Sequence, residues 1–315
     1  MRNKKQEKVN QRKTMRRITY YICIISGLLL TACKSGMYVY TSFHEPATDG
    51  LRYLVSKDGV SWDSVPGTWL APEVGLQRVM RDPSIQPTPD GTFHFVWTSS
   101  WKGDRGFGYA SSKDLKHWSE ERFIEVMADT STVNVWAPEL FWDDTRGEMM
   151  IIWASCVPYQ FEKGIEDERN NHRLYYTTTR DFKSFGETKL LIDPGFSCID
   201  ATLVKRGEHD YVMVLKDNTR PERNLKTATA RDPHGPWNEV SAPFTGNFVE
   251  GPATVRVKDG WIIYYDSYQR KDFGASFTRD FKTFTDWSGR VHIPEFHKHG
   301  TIFKASKRIV KGLKR

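Results

Sequence analysis

The sequence predicts an all-β chain folded as a single five-bladed β-propeller. Three observations carry this prediction. One short phrase recurs five times, a strand pair of constant character precedes each recurrence, and the two chain ends supply complementary parts of one blade. The phrase is a small or hydroxyl residue, a basic residue, Asp, three variable positions and an aromatic. It reads SKDGVSW at 56–62, SKDLKHW at 112–118, TRDFKSF at 179–185, ARDPHGPW with one insertion at 230–237, and TRDFKTF at 278–284. A period near 50 residues with β-rich content is the signature of propeller blades.

Each element of the period has its own signal. Immediately before the phrase lies a short alternating strand: LRYLV, FGYAS, LYYTT, LKTAT or FGASF. One strand earlier, in four periods, is an apolar run, FHFVWTS, MMIIWAS, YVMVLKD or WIIYYDS, introduced by turn signals such as Pro89-Asp90-Gly91. The Asp of the phrase accepts backbone N–H groups inside a turn, so Asp58, Asp114, Asp181, Asp232 and Asp280 are read as structural. The closing aromatics are expected to pack between sheets. The first period begins at MYVYTSFHE without an inner strand, whereas the chain ends with HGTIFK, an inner strand lacking its blade. Pairing the C-terminal strand with the N-terminal blade closes the ring and removes exposed edges.

The net charge of +7 does not point to nucleic acid. Residues 1–17 hold eight basic residues and one acid, which leaves 38 of each sign in the remainder. Six more basic residues sit in the last dozen positions. The excess belongs to the ends and not to a binding face. The basic start is followed by an apolar run, Ile18–Ala32, shorter than the ~20 residues of a spanning helix. The organisation expected is therefore a signal peptide over 1–32, a tether at 33–36, the propeller over 37–306 and a basic tail at 307–315. Cys156 and Cys198 remain in the body of the chain, either paired or as buried thiols, and no Cys/His spacing suggests zinc.

In a propeller the first strand of every blade lines the axis. Those strands begin RDPSI (81–85), WAPEL (136–140), IDATL (199–203), VEGPA (249–253) and HKHGT (297–301). Asp82, Asp200 and Glu250 therefore converge, with Glu139 nearby. Carboxylates in one confined site repel one another unless their pKa values separate, and that separation is what acid–base catalysis requires. Trp101, Trp136 and Phe196, near inner-strand ends or the loops that follow, are candidate ligand platforms, because a ring combines apolar burial with orientation. Arg223 is a candidate for a ligand hydrogen bond.

The motifs RDPSI, NVWAPELFW, CIDATLV, VEGPATV and KHGTIFK, in this order, resemble glycoside hydrolase family 43 over nearly all of the chain after the signal peptide. The resemblance implies Asp82 as general base, Glu250 as general acid and Asp200 as the residue that tunes the acid. It implies that His299, at the propeller centre, helps hold a water-coordinated calcium ion; no other cofactor is required. Glu139 matches a position that is structural in the family. The implied reaction is inverting hydrolysis of an oligo- or polysaccharide. Exo-acting α-L-arabinofuranosidase is the specificity chosen, with β-xylosidase, endo-arabinanase and galactofuranosidase or galactosidase as alternatives. A non-catalytic glycan-binding propeller is the alternative of another class. Leu30-Thr31-Ala32-Cys33 resembles a bacterial lipobox, which implies lipidation of Cys33, export, and anchoring in an envelope membrane. The protein is expected to be a monomer.

Overall fold

The computed structural model describes residues 36–162, 166 and 169–314. The signal-peptide reading and Cys33 lie outside them. Nineteen strands among the described residues form five antiparallel sheets. Blade I contains β1 (Met37–Ser42), β2 (Arg52–Ser56) and β3 (Asp63–Val65). Blade II contains β4 (Arg81–Pro87), β5 (Phe93–Thr98), β6 (Gly106–Ser112) and β7 (Arg122–Glu125). Blade III contains β8 (Trp136–Asp143), β9 (Glu148–Ser155), β10 (Arg173–Thr179) and β11 (Lys189–Ile192). Blade IV has only β12 (Cys198–Gly207), β13 (Asp210–Asp217) and β14 (Asn224–Ala230). Blade V contains β15 (Val249–Val257), β16 (Gly260–Ser267), β17 (Asp272–Thr278) and β18 (Phe284–Asp286).

The last strand, β19 (Ile302–Ala305), pairs antiparallel with β1 in the register Met37↔Ala305 to Tyr40↔Ile302. It thereby supplies the missing inner strand of blade I, as the ends of the sequence predict. The segment leading into it is wedged tightly between blades. A Cβ on Gly300 would lie 2.4 Å from the Thr41 carbonyl oxygen and 2.9 Å from that of Pro83.

The repeated phrase is a turn, and its aspartates are structural. In four copies the Asp Oδ1 accepts two backbone N–H groups, for example from Lys183 and Ser184 at Asp181 and from Lys282 and Thr283 at Asp280. The side chain that packs deepest differs from the expectation. Trp62 is buried, but Trp118, Phe185, Trp237 and Phe284 are only half-buried. The residue directly after the Asp takes a positive φ at Leu115, Phe182 and Phe281, and these side chains are buried.

Each interface between neighbouring blades has its own apolar cluster, so the core is a ring of five wedges. The segment expected as a basic tail is helical. Lys307–Leu313 forms a helix, α1, capped by Ser306, and its Val310 and Leu313 are buried in the cluster between blades I and II. Cys156 and Cys198 are buried free thiols. Among the described residues no helix is long and apolar enough to cross a membrane.

Candidate active site

Four blades begin with the same irregularity. Pairing of inner and second strands skips two residues on the inner strand against one on its partner, between Arg81 and Ser84, Trp136 and Glu139, Ile199 and Thr202, and Glu250 and Ala253. Each is a β-bulge, and its first residue is left-handed: Asp82 at φ 51°, Ala137 at 47°, Asp200 at 50° and Gly251 at 60°. Asp is among the few residues that tolerate this region, and strained backbone of this kind gathers at functional sites. The second bulged residue is Pro83, Pro138, Ala201 or Pro252. Proline fits there because the bulge leaves that position out of the ladder. Glycine at 251 has a further cause: a Cβ would lie 2.0 Å from His299 Cγ. The bulges turn the aspartates out of the sheet and into the funnel.

Asp82, Asp200 and Glu250 line one cavity of about 460 Å³ together with Arg81, Thr98, Lys216 and His299. Asp82 Oδ1 meets His299 Nε2 at 2.8 Å, and Asp82 Oδ2 accepts from Thr98 Oγ1 at 2.7 Å. The other ring nitrogen of His299, Nδ1, lies 2.6 Å from Asp266 Oδ2. Lys216 Nζ donates to Glu250 Oε2 at 2.9 Å, and Asp200 Oδ2 accepts from the Gly251 N–H at 3.1 Å.

This arrangement separates the three carboxyl pKa values. Burial alone would raise Asp82, but the hydrogen bond and charge of His299, helped by Arg81, bring it down to about 2. Burial raises Asp200 to about 6; the charges of Glu250 and Asp82 add to this, while Lys216 and His299 oppose it. Burial also acts to raise Glu250, and Lys216 and His299 overcome it, leaving about 2. His299 goes the other way. Burial disfavours its charge, but Asp266 and Asp82 on either side hold it protonated well above its usual range. Of the two neighbouring carboxyls, Asp200 is the one whose surroundings favour the protonated form.

The remaining predicted residues divide. Trp101, Trp136 and Arg223 line the same cavity. Trp136 is fixed by stacking on His172 at 4.8 Å and by donating its Nε1–H to the Trp101 carbonyl at 3.0 Å. The Arg81 guanidinium lies 3.9 Å from the Trp101 ring centroid. Phe196 is not part of the cavity wall; it packs against the core between blades III and IV, with Lys226 over its ring. Glu139 is half-buried, accepts from Thr202 and Thr301, and is raised by desolvation to about 7.

Lys216, Asp266 and Thr98 were not singled out from the sequence. They sit opposite Ile199, Glu250 and Arg81 on the second strands of their blades. The signal was present in the polar ends of the runs YVMVLKD, WIIYYDS and FHFVWTS.

Glu250, Asp266 and His299 offer ligand atoms within 4.8 Å of one another, close enough to hold a metal. A protonated imidazole has no lone pair to give, however, so an ion would have to displace the His299 proton. The axial cavity beside His299, Glu139 and Asp200 measures about 30 Å³. His299 as it stands supplies the positive charge that Asp82 needs.

The family described as "Probable glycosyl hydrolase domain", related to glycoside hydrolase family 43, matches residues 34–308. An α-L-arabinofuranosidase of Bifidobacterium longum subsp. longum is 24% identical over 246 residues, which cover 64% of this chain and 23% of that protein. The chain therefore spans about a quarter of that relative's length. Among solved structures, an α-L-arabinofuranosidase from Lactobacillus brevis is similar with a TM-score of 0.53 at 19% identity, covering 66% of this chain and 72% of the other. A protein of unknown function from Dyadobacter fermentans is similar with a TM-score of 0.56 at 13% identity, covering 82% and 83%. These structural likenesses bear on the fold. With the family match extending over most of the chain and its motifs set on five blades, the protein belongs to the probable glycosyl hydrolases related to glycoside hydrolase family 43.

Proposed function

We propose that the chain is an inverting, exo-acting glycosidase that removes α-L-arabinofuranosyl residues from polysaccharide or glycan side chains. The observation that carries the catalytic reading is the convergence of Asp82, Asp200 and Glu250 on one cavity, with their proton affinities split and Trp101 and Trp136 beside them. The arabinofuranose reading is supported by the names of the two arabinofuranosidases to which the chain is similar. In this reading Asp82, kept ionised by His299, takes a proton from water on one face of the sugar. Glu250 protonates the departing oxygen on the other face, as an inverting pair does. Asp200 stores that proton between turnovers, and the two carboxyls titrate as a unit.

The upward shift of Asp200 favours a second assignment, in which Asp200 itself donates and Glu250 orients the leaving oxygen. Variants described in the Discussion separate the two. For the substrate, 4-nitrophenyl α-L-arabinofuranoside, β-D-xyloside and β-D-galactofuranoside should be offered in parallel. Preferential hydrolysis of the first is expected. Glycan binding without turnover of any would instead identify a non-catalytic binding protein.

The pH profile gives another test. Turnover from the free protein requires Asp82 ionised, hence pH above about 2, and a proton on the Asp200–Glu250 pair, hence pH below about 6. The alkaline limb of kcat/KM is expected near pH 6. Lys216 favours the ionised form of both Asp200 and Glu250, so Lys216→Met should move that limb upward by about one unit or more. A limb that stays in place would remove Lys216 from this role.

We also infer export and lipid anchoring at Cys33, supported by the basic start, the apolar run and the Leu30-Thr31-Ala32-Cys33 sequence. Metabolic labelling with a tagged fatty acid, lost in Cys33→Ala, would test it.

A further inference from the structure

A patch of exposed positive charge lies on the face of the propeller opposite the funnel. The inner strands begin at the bulges beside the cavity and run away from it, so β19 leads from His299 at the funnel to Ala305 at the far end. β1 runs back along it, and its first residue, Met37, pairs with Ala305. The chain therefore enters the propeller on the far face, beside Ser306, which caps α1. The turn after β2 returns to the same place, since Tyr38 pairs with Lys304 on one side and with Ser56 on the other.

The basic residues expected in a tail are fixed on this face by the burial of Val310 and Leu313. Lys116, in the turn of blade II, donates to the Gly312 carbonyl at 3.1 Å and holds the far end of the helix. Lys307, Arg308, Lys311 and Lys314 are left exposed. Tyr38 extends the patch toward blade V. Lys304 Nζ lies 5.0 Å from its ring centroid, and its hydroxyl donates to the Arg256 carbonyl at 2.8 Å. Lys57 follows Ser56, and Lys258 stands in the hairpin turn just beyond Arg256; the side chains of Lys57, Arg256, Lys258 and Lys304 are all exposed. Lys314 meets Asp63 at 3.4 Å, whereas the other seven exposed basic residues named form no ion pair among the described residues. The carboxylates on the same turns, Asp58, Asp63, Asp114 and Asp259, are fewer, and Asp58 and Asp114 each turn an oxygen inward to two backbone N–H groups.

Like charges gathered on one surface create a field that attracts an anionic partner and is screened by salt. The anchoring at Cys33 inferred above selects the partner. Cys33 precedes Met37 by four residues, a reach of at most ~14 Å, so a lipid attached there would bring a bilayer to this face. On so short a tether, contact between patch and headgroups is an intramolecular event at high effective concentration. We propose that α1 and the turns around Tyr38 dock on anionic lipid headgroups, so that the propeller stands with its funnel facing away from the bilayer. A polymer too large to pass beneath the protein then still reaches the cavity. The choice of a membrane as partner rests on lipidation of Cys33.

For the test, the chain as its host processes it is placed on phosphatidylcholine vesicles with or without phosphatidylglycerol, and its lysines are acetylated with a water-soluble reagent. Lys307 and Lys311 should react about fivefold more slowly, or slower still, on the anionic vesicles. Lys271, in the turn between β16 and β17 on the funnel side, should react equally on both. Salt at ~1 M, where the Debye length is ~3 Å, should abolish the difference. In the triple variant Lys307→Gln, Arg308→Gln, Lys311→Gln, which keeps Val310 and Leu313, Lys304 should lose its protection while thermal unfolding stays unchanged. Equal acetylation on both vesicles would overturn the proposal. Should fatty-acid labelling show no lipid on Cys33, that reading fails separately, and sedimentation with the same vesicles decides the face on its own. Binding that needs phosphatidylglycerol and weakens about 10²-fold in the triple variant, at about fivefold per basic residue, upholds it. No binding overturns it, as does variant-sensitive binding of soluble polygalacturonate with none to vesicles.

Discussion

Asp82→Asn is expected to lower kcat by about 10²–10⁴-fold on every substrate, while Glu250→Gln loses as much only where the leaving group is poor. The range is that of a positioned acid or base. The contrast follows from what each group does. Activating water is needed whatever departs, so the defect of a missing base does not depend on the leaving group. A good leaving group such as 2,4-dinitrophenolate departs without a proton, so the loss of a donor is then concealed. Hydrolysis of dinitrophenyl and alkyl glycosides by Asp82→Asn, Glu250→Gln and Asp200→Asn makes the measurement. The variant whose defect disappears with dinitrophenolate is the donor. If that is Asp200→Asn, the carboxyl whose burial favours the protonated form is itself the donor. If none of the three loses activity, the acid–base assignment fails.

His299→Leu is expected to cost about 3–5 kcal/mol of folding stability, because removing one partner leaves buried charges uncompensated. Asp82 and Asp266 both rely on this imidazolium, and Glu250 and Asp200 also feel its charge. The pH dependence fixes the sign. The folded pKa of His299 lies above its unfolded value of roughly 6.5. The stabilisation is therefore complete below about pH 6.5 and is lost as pH rises through the folded value. Urea unfolding of wild type and variant should give a stability gap that is widest in acid and narrows in alkali. The acidic limb of activity should move upward in the variant as Asp82 loses its counter-charge. A gap independent of pH would show that the ring acts by packing alone.

The sequence was most informative about the scaffold, and the reason is physical. The turn phrase recurs because every blade needs the same Asp-capped reversal, so its spacing sets the register of all five sheets. That register was enough to bring Asp82, Asp200 and Glu250 together. Lys216 and Asp266 escaped notice because they end apolar strands, and only the bulge opposite each shows that the strand end faces the funnel. Phe196 was misplaced for a related reason, since an aromatic beside an inner strand serves the core equally well. Helix α1 was hidden by its basic residues. Seven residues are too few to form a helix alone, and it forms here because Ile309, Val310 and Leu313 have a cluster to enter.

The pairing of β19 with β1 has a consequence for how the protein comes into being. His299 lies on the segment that enters this strand, so it is synthesised after blades II to V. Until that segment docks, Asp82 and Asp266 are held by strands already made but have no cation between them. Docking of the last strand brings the imidazolium that both carboxylates contact. Mechanical closure of the ring and electrical completion of the site are one event. A chain interrupted before His299 would carry all three acidic residues and still lack the charge that readies the base.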